Sequence, residues 1–192
     1  MQKEQFIHIK NGNKFYYSDR EMLIRHREDG PAIVYANGSK SWYLNGERHR
    51  EDGPACEGTD SYKAWYLNGK RHREDGPAIE YADGSKEWYL NDKLHREDGP
   101  ASEWSDGFKA WYLNGKYHRE DGPAIEYVDG SKEWYLNDKR LTEAEFNARI
   151  NPVTELTLDE IAEKFGIQEV KSVTIKFQTP TPYTNEQNSR TN

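Results

Sequence analysis

A heptapeptide that returns at a fixed interval constrains the fold of this chain more than any other feature. The sequence HREDGPA occurs five times, always 23 residues apart, starting at His26, His49, His72, His95 and His118. A variable stretch and then the run Trp-Tyr-Leu-Asn follow each copy. Self-similarity at a fixed period is typical of repeat arrays, in which each unit packs on its neighbours. The sequence therefore predicts five contiguous units over residues 26–140.

Within a unit the pattern predicts a β-hairpin. The segment AIEYADGSKEWYL, residues 78–90, contains the dipeptide Asp83-Gly84 between two apolar-polar stretches. Asp-Gly and Asn-Gly accept positive φ angles and favour a two-residue hairpin turn. A second turn, Asn-Gly or Asn-Asp, follows the Trp-Tyr-Leu run. The expected fold is mainly β, an elongated antiparallel array of five hairpin repeats.

The expected hairpin register divides the side chains between two faces. With Asn37-Gly38 as a two-residue turn, Ile33 lies across from Trp42, and alternation along a strand places Leu44 on the same side. We therefore expect one apolar face, with a continuous tryptophan column as its core. The opposite face carries tyrosine and carboxylate side chains.

That tyrosine and carboxylate face is the predicted partner-binding site. Rows of tyrosine supply amphipathic contact area at low entropic cost, and acidic rims attract basic partners. The candidate residues are Tyr43, Tyr66, Tyr89, Tyr112, Tyr135, Glu80, Glu87, Glu126 and Glu133. Tyrosines that only coat the sheet are the alternative explanation.

Composition and charge disfavour several classes of protein. The net charge is −7 and no basic stripe is visible, which argues against nucleic-acid binding. A single cysteine, Cys56, allows no intrachain disulfide, and no 18-residue apolar stretch is present. We expect a soluble, cytoplasmic protein that makes no membrane contact. The aromatic content of 13% argues against a disordered chain.

The HREDGPA segment itself could be an active site or a structural joint. His, Arg, Glu and Asp side chains suggest acid–base chemistry, but catalysis needs one convergent cluster, and five copies along an array form five loops. Neighbouring histidines would also lie too far apart to share a metal ion. We interpret the segment as a joint between hairpins, in which the aspartate holds the bend and Arg27 pairs laterally with Glu51. No catalytic residue, metal site or cofactor is predicted.

The two ends of the chain differ from the repeats. Residues 1–25 predict an N-terminal capping hairpin, with Asn11-Gly12 as its turn. Residues 141–177 predict a helix-helix-strand module: a first helix Glu143–Ile150, a second ending near Gly166, and a strand at residues 170–177. This module is interpreted as a C-terminal cap, with a small partner-docking unit as the alternative. Residues 178–192 predict a flexible tail.

The 23-residue unit resembles the MORN repeat family. Two strands per unit, an Asp-Gly turn, an aromatic pair and Asn-Gly carry the resemblance, and the HREDGPA…WYLNG spelling is similar to MORN-like arrays in proteins of bacteriophages, large DNA viruses and bacteria. The resemblance covers residues 26–140 and departs from the usual Gly-x-Gly pattern, because alanine follows Gly30-Pro31. It implies binding of proteins or membranes, and the acidic array favours proteins.

We therefore expect a non-enzymatic protein-binding repeat protein whose partner has a basic surface. A viral factor that binds and inhibits a host defence protein, acting in the host cytoplasm, is the specific form suggested by the resemblance. One alternative is a structural component that self-associates as a homo-oligomer. A further alternative is a small-molecule sponge that binds nucleotides between repeats.

Overall fold

The structure is a computed structural model that describes residues 5–150 together with residues 160, 162, 163 and 166. The chain divides into two compact units, Met1–Pro152 and Val153–Asn192. In the second unit, residues 160, 162 and 163 are helical and Gly166 is a turn residue with a φ of 65°. The predicted strand at 170–177 and the predicted tail at 178–192 lie outside the described residues.

The first unit contains very short strands followed by one helix. Their bounds are β1 Phe6–Lys10, β2 Asn13–Tyr17, β3 Ile33–Val34, β4 Lys40–Ser41, β5 Tyr43–Leu44, β6 Glu47–Arg48, β7 Cys56–Glu57, β8 Lys63–Ala64, β9 Tyr66–Leu67, β10 Lys70–Arg71, β11 Ile79–Glu80, β12 Lys86–Glu87, β13 Tyr89–Leu90, β14 Lys93–Leu94, β15 Ser102–Glu103, β16 Lys109–Ala110, β17 Tyr112–Leu113, β18 Lys116–Tyr117, β19 Ile125–Glu126, β20 Lys132–Leu136, β21 Lys139–Leu141 and α1 Glu143–Ile150.

These strands form the predicted antiparallel hairpin array. Thirteen of them make one sheet in the order β1-β2-β3-β4-β7-β8-β11-β12-β15-β16-β19-β20-β21. Each of the first four repeats adds a separate small hairpin: β5 with β6, β9 with β10, β13 with β14 and β17 with β18. The mainly β repeat architecture is therefore confirmed, with four short strands in each of the first four repeats and three in the fifth, in place of the expected two.

The main hairpin turn of each repeat is longer than the sequence suggested. In the third repeat Glu80 pairs with Lys86, and the amide of Tyr81 donates to the carbonyl of Ser85. The Gly84 amide donates to the Tyr81 carbonyl at 3.0 Å, and Gly84 has a φ of 88°. This is a three-residue loop, in which a β-turn is followed by a glycine bulge. The predicted two-residue turn is wrong because Gly84 occupies the bulge position.

One extra loop residue moves every side chain of the second strand to the opposite face. Ile79 therefore pairs with Glu87 and not with Trp88. Trp88 is the single residue of the chain between the end of β12 and the start of β13. Ile79 shares a buried cluster with Tyr89, a residue expected on the other face. The prediction that isoleucine and tryptophan share one face, opposite tyrosine, is wrong. Glu80 and Glu87 also occupy opposite faces of the sheet.

The observed register creates two continuous rows across the sheet. The central row, on the face of Ile79, consists of Phe15, Ile33, Ser41, Cys56, Ala64, Ile79, Glu87, Ser102, Ala110, Ile125 and Glu133. The charged row, on the other face, consists of Lys14, Val34, Lys40, Glu57, Lys63, Glu80, Lys86, Glu103, Lys109, Glu126 and Lys132. From Lys40 onward lysine and glutamate alternate, so each cross-strand pair is attractive.

Small residues, rather than tryptophans, are the most deeply buried side chains of the array. The alanine of every HREDGPA copy is fully buried: Ala32, Ala55, Ala78, Ala101 and Ala124. Its carbonyl accepts the amide of the preceding repeat's tryptophan, as in the 2.8 Å bond from Trp65 to Ala78. The tryptophans of this column are half-buried. The predicted tryptophan core is therefore replaced by a thin alanine and isoleucine core.

The ends of the first unit follow the sequence closely. Strands β1 and β2 form the predicted N-terminal hairpin, and Asn11 and Gly12 have the positive φ angles that its turn requires. Helix α1 has the predicted bounds. Its first turn is a capping box, because the Glu145 carboxylate accepts from the Thr142 amide at 2.8 Å and the Glu145 amide donates to the Thr142 hydroxyl at 3.2 Å.

Candidate functional site

The arginine of HREDGPA is the central structural group of each repeat. Arg73 donates from Nε to the Asp75 carboxylate at 2.8 Å, and from Nη1 to the Pro77 carbonyl and the Glu80 carboxylate, both at 3.2 Å. Its guanidinium lies over the Trp65 ring, 4.0 Å from the centroid. The same arrangement recurs at Arg50, Arg96 and Arg119. The heptapeptide is thus confirmed as a joint, held by arginine.

The details of this joint differ from the prediction. Arg27 pairs with Asp29 of its own loop at 2.8 Å, so the expected lateral pair with Glu51 is wrong. The aspartate holds the bend through this arginine. The hydrogen bond from Arg73, together with its charge, holds the pKa of the Asp75 carboxyl below its ordinary value. The Asp75 carboxylate therefore holds the Arg73 side chain by a hydrogen bond while the guanidinium lies over the Trp65 ring.

The histidine of the heptapeptide positions the turn of the small hairpin. His26 Nδ1 accepts a hydrogen bond from the Asn45 amide at 3.0 Å, and Asn45 and Gly46 have φ angles of 50° and 86°. The equivalent bond recurs in the other four repeats. The five histidines therefore serve five separate turns. In the part of the chain that the structure describes, no group of three or more His, Cys, Asp or Glu side chains could hold a metal ion.

The predicted tyrosine column packs against side chains from neighbouring repeats. The Arg71 guanidinium lies 3.9 Å from the centroid of the Tyr89 ring, and Arg48 lies 5.3 Å from that of Tyr66. In repeat four Tyr117 stands at the position that Arg48 and Arg71 occupy in repeats one and two. Its ring centroid lies 4.3 Å from that of Tyr112 and 5.2 Å from that of Tyr135. Tyr43 lies near both Arg25 and Arg48. Arg48 thus lies near both Tyr43 and Tyr66, and Tyr117 connects Tyr112 to Tyr135; we call this column of five tyrosines the tyrosine ladder.

The predicted glutamates are also engaged within the fold, in two different ways. Glu80 and Glu126 belong to the charged row and pair with Arg73 and Arg119. Glu87 and Glu133 lie on the tyrosine side and accept hydrogen bonds from tyrosine hydroxyls: Glu87 from Tyr81 at 2.9 Å and Tyr89 at 3.2 Å, and Glu133 from Tyr135 at 2.7 Å. These four glutamates therefore do not form one acidic rim.

Burial and the neighbouring carboxylates perturb the tyrosine hydroxyls. Desolvation, reinforced by the negative charge of Glu87, raises the pKa of Tyr89 to about 12. Desolvation also raises the pKa of Tyr112, with a further contribution from its hydrogen bond to Tyr117. These phenols remain protonated donors at neutral pH, as their hydrogen bonds to carboxylate or phenol oxygens require.

A second row of aromatic side chains lies beside the main hairpin turns. We call it the loop-side aromatic row, and its members are Tyr35, Tyr62, Tyr81, Trp104, Phe108 and Tyr127. They stand two positions from the central row, so they share its face. Tyr81 stacks on Trp104 with centroids 5.7 Å apart, and Phe108 meets Tyr127 edge-on at 5.7 Å. The row is most exposed in repeats four and five.

An open cleft of about 640 Å³ lies at this exposed end of the row. We call it the Trp104 cleft, and it is lined by Trp104, Asp106, Phe108, Tyr127, Val128 and Asp129. Trp104 is 42% exposed and Val128 is 62% exposed, although both are large apolar side chains. Exposed aromatic and apolar groups gathered in a concave surface mark interaction sites.

Sequence reasoning missed this cleft because it followed what the repeats share. The informative signal is where one repeat departs from the others. At the position of Trp104 the other repeats carry Tyr, Gly, Tyr and Tyr, and at the position of Phe108 only repeat two has another aromatic residue, Tyr62. Repeat four alone combines two large aromatics at one turn. Shared residues maintain the scaffold, whereas variable loop residues on it are the ones free to take on binding.

Comparisons with known proteins add no assignment. Neither a protein-family model nor a curated protein matches this sequence. Within the described residues, no helix combines the length and apolar character needed to cross a membrane.

Proposed function

We propose that this chain is a non-enzymatic protein-binding repeat protein of the MORN-like type. The exposed Trp104 cleft carries the proposal, because the residues that all five repeats share are engaged in holding the array together. Aromatic side chains in a concave, partly desolvated surface are the residues that contribute most to protein interfaces. The polar heptapeptides act as joints, which leaves the loop-side aromatic row as the contact surface.

Charge supports a partner with a basic surface. The net charge of the chain is −7, and the two charged residues that line the cleft are both aspartates. Complementary charge increases association rates and selects among partners. The same acidity opposes nucleic acids, anionic membranes and nucleotides as ligands. In its specific form the proposal is a cytoplasmic viral factor that inhibits a host protein, supported by the resemblance to arrays of phages and large DNA viruses.

The proposal is tested by capture with matched variants. The immobilised full chain is exposed to a lysate of its natural host cell, next to the variant Trp104→Ala and the control Tyr35→Ala. Tyr35 occupies the equivalent position in repeat one, far from the cleft along the sheet order. A protein that binds the wild type and the control, but not Trp104→Ala, is then purified and its affinity measured by calorimetry. Equal capture by all three chains would contradict the proposed surface.

Self-association is the second candidate function. Strand β1 is the first strand of the sheet, and its apolar side chains Ile7 and Ile9 are 53% and 63% exposed. Open sheet edges with exposed apolar residues pair with other strands unless they are covered. Light scattering over a concentration series separates the two functions: an oligomer that Ile9→Lys dissociates supports assembly, whereas a monomer at all concentrations contradicts it.

A further inference from the structure

We infer that the Trp104 cleft binds an arginine side chain presented by the partner protein. This inference rests on the proposed function and adds the chemical group that the site recognises. Three observations carry it: the aromatic walls, an unused carboxylate oxygen, and a matching arrangement that holds arginine elsewhere in the same chain.

The aromatic walls suit a flat cation. Trp104, Phe108 and Tyr127 line the cleft, and no lysine or arginine is among its lining residues. The faces of aromatic rings attract cations, most strongly in the case of tryptophan. A planar guanidinium stacks on such a ring, whereas an ammonium group does not. The walls therefore favour arginine over lysine.

The carboxylates provide the second half of the site. Asp106 Oδ1 accepts the Phe108 amide at 3.0 Å, while Asp106 Oδ2 accepts no hydrogen bond from the described residues. In the preceding repeat the equivalent oxygen, Asp83 Oδ2, is occupied, because the hydroxyl of Ser105 donates to it at 3.2 Å. The residue equivalent to Ser105 in repeat five is Val128, which has no donor. Asp106 is thus left with an oxygen available to an external donor.

Asp129 adds negative charge on the other side of the cleft. Its Oδ1 accepts both the amide and the hydroxyl of Ser131, at 2.9 and 2.6 Å. These hydrogen bonds hold the pKa of Asp129 below its ordinary value, so the group stays ionised. The cleft therefore has two aspartates and no lysine or arginine among its lining residues, which gives it an excess of negative charge.

The same chain already holds arginine with this set of groups. Arg119 lies over Trp111 with its guanidinium carbon 3.9 Å from the ring centroid, and it donates to Asp121 at 2.7 Å. The Pro123 carbonyl and the Glu126 carboxylate accept further hydrogen bonds from the same guanidinium, so an indole face and an aspartate are two of the groups that orient it. Tyr81 stacks on one side of the Trp104 ring, and the remaining 42% exposed surface of Trp104 lies in a cleft lined by two aspartates and no arginine. We propose that the partner supplies it.

The first experiment uses the capped tripeptide Gly-Arg-Gly as the probe and the ¹⁵N-labelled full chain as the receptor. Six tryptophans give six indole signals, and the Trp104→Phe variant assigns the one of interest. Titration should shift the Trp104 indole signal and leave the other five unchanged. The matched peptides carry lysine or the uncharged isostere citrulline. Binding of either one as tight as that of the arginine peptide would overturn the inference.

Two variants test the carboxylate directly. Asp106→Asn removes the charge, and Val128→Ser restores the donor that occupies the equivalent oxygen in the preceding repeat. Each should weaken binding of the arginine peptide roughly tenfold, as expected for loss of one hydrogen bond between charged groups. The matched control is Asp60→Asn, at the equivalent position of repeat two, where Gly58 replaces the tryptophan. Unchanged affinity in both test variants, with their spectra showing a folded chain, would refute the site.

Failure of this inference is distinguishable from failure of the proposed function. A captured partner that depends on Trp104, combined with no shift from the arginine peptide, overturns arginine recognition and leaves protein binding in place. A specific shift at Trp104, combined with no Trp104-dependent partner, supports the arginine site and contradicts the proposed function.

Discussion

Replacing Arg73 by methionine tests the interpretation of the heptapeptide as an arginine-held joint. Methionine keeps much of the apolar stem but removes the guanidinium. In the structure this group stacks on Trp65, donates to the Pro77 carbonyl and pairs with the half-buried Glu80. The side chain is only 22% exposed, so its interactions are partly shielded from water.

The expected loss follows from these three contacts. A partly desolvated cation–π contact contributes about 1–2 kcal/mol. The charged hydrogen bond to the carbonyl contributes about 1.5 kcal/mol, and the partly exposed ion pair about 0–1 kcal/mol. Because such terms are not additive, we expect Arg73→Met to lower the free energy of unfolding by roughly 2–4 kcal/mol. Because methionine retains the packing of the apolar stem, the loss in the free energy of unfolding should be smaller than the sum of the three contact energies.

Urea unfolding of the full chain, followed by far-UV circular dichroism and tryptophan fluorescence, measures this loss. Lys93→Met is the matched control, since Lys93 is exposed on a small hairpin, and its change should stay within about 0.5 kcal/mol. A loss for Arg73→Met no larger than that of the control would refute the reasoning. It would show that the repeated heptapeptide does not hold the array together.

The same variant should also change the titration of the Asp75 carboxyl. The hydrogen bond from Arg73 is the largest cause of the lowered pKa of Asp75, and the positive charge of Arg73 is the second. A carboxyl whose pKa is depressed on folding stabilises the fold above its unfolded pKa of about 3.8, and this contribution is lost as the pH falls. In Arg73→Met the NMR-measured pKa of Asp75 should rise toward its ordinary value. An unchanged titration would show that another group holds the carboxylate.

Three further predictions test the turn, the tyrosine ladder and the helix cap. Gly107→Ala should destabilise the chain by about 1 kcal/mol in thermal unfolding, because Gly107 has a φ of 101°, which alanine rarely adopts. A methyl group there would meet no atom within 4 Å, so the cost comes from backbone conformation and not from a clash. A stabilised variant would contradict the positive φ at this turn. Ultraviolet titration should show Tyr89 ionising near pH 12. The stability that protonated Tyr89 contributes is complete below the ordinary tyrosine pKa of about 10 and is lost as the pH rises from there to about 12. Glu87→Gln should lower the pKa of Tyr89, and an unchanged pKa would remove Glu87 as a cause. Thr142→Ala should cost about 1 kcal/mol in chemical unfolding, since it deletes the N-cap of α1; no loss would mean that the capping box contributes nothing.

The sequence predicted the array, the position of its joints and the end of the repeats. These features depend on local rules: a period repeated without drift, residues that accept positive φ such as Asn45 and Gly46, and the Thr142 capping box. The candidate site was less accessible to this reasoning. Its residues lie where repeat four differs from the rest, and their significance appears only when Trp104 and Val128 are seen to line the same cleft.

By itself, then, the sequence determined that five like units stand side by side and where each unit bends. Tertiary structure decided which side chains face one another, because a hairpin with a three-residue loop and one with a two-residue loop put opposite faces of the strand inward. The additional residue in the loop places Glu87 and not Trp88 opposite Ile79, and it brings Tyr89 into the buried cluster that contains Ile79. The half-buried rings of Trp42, Trp65, Trp88 and Trp111 each leave a face that an arginine covers.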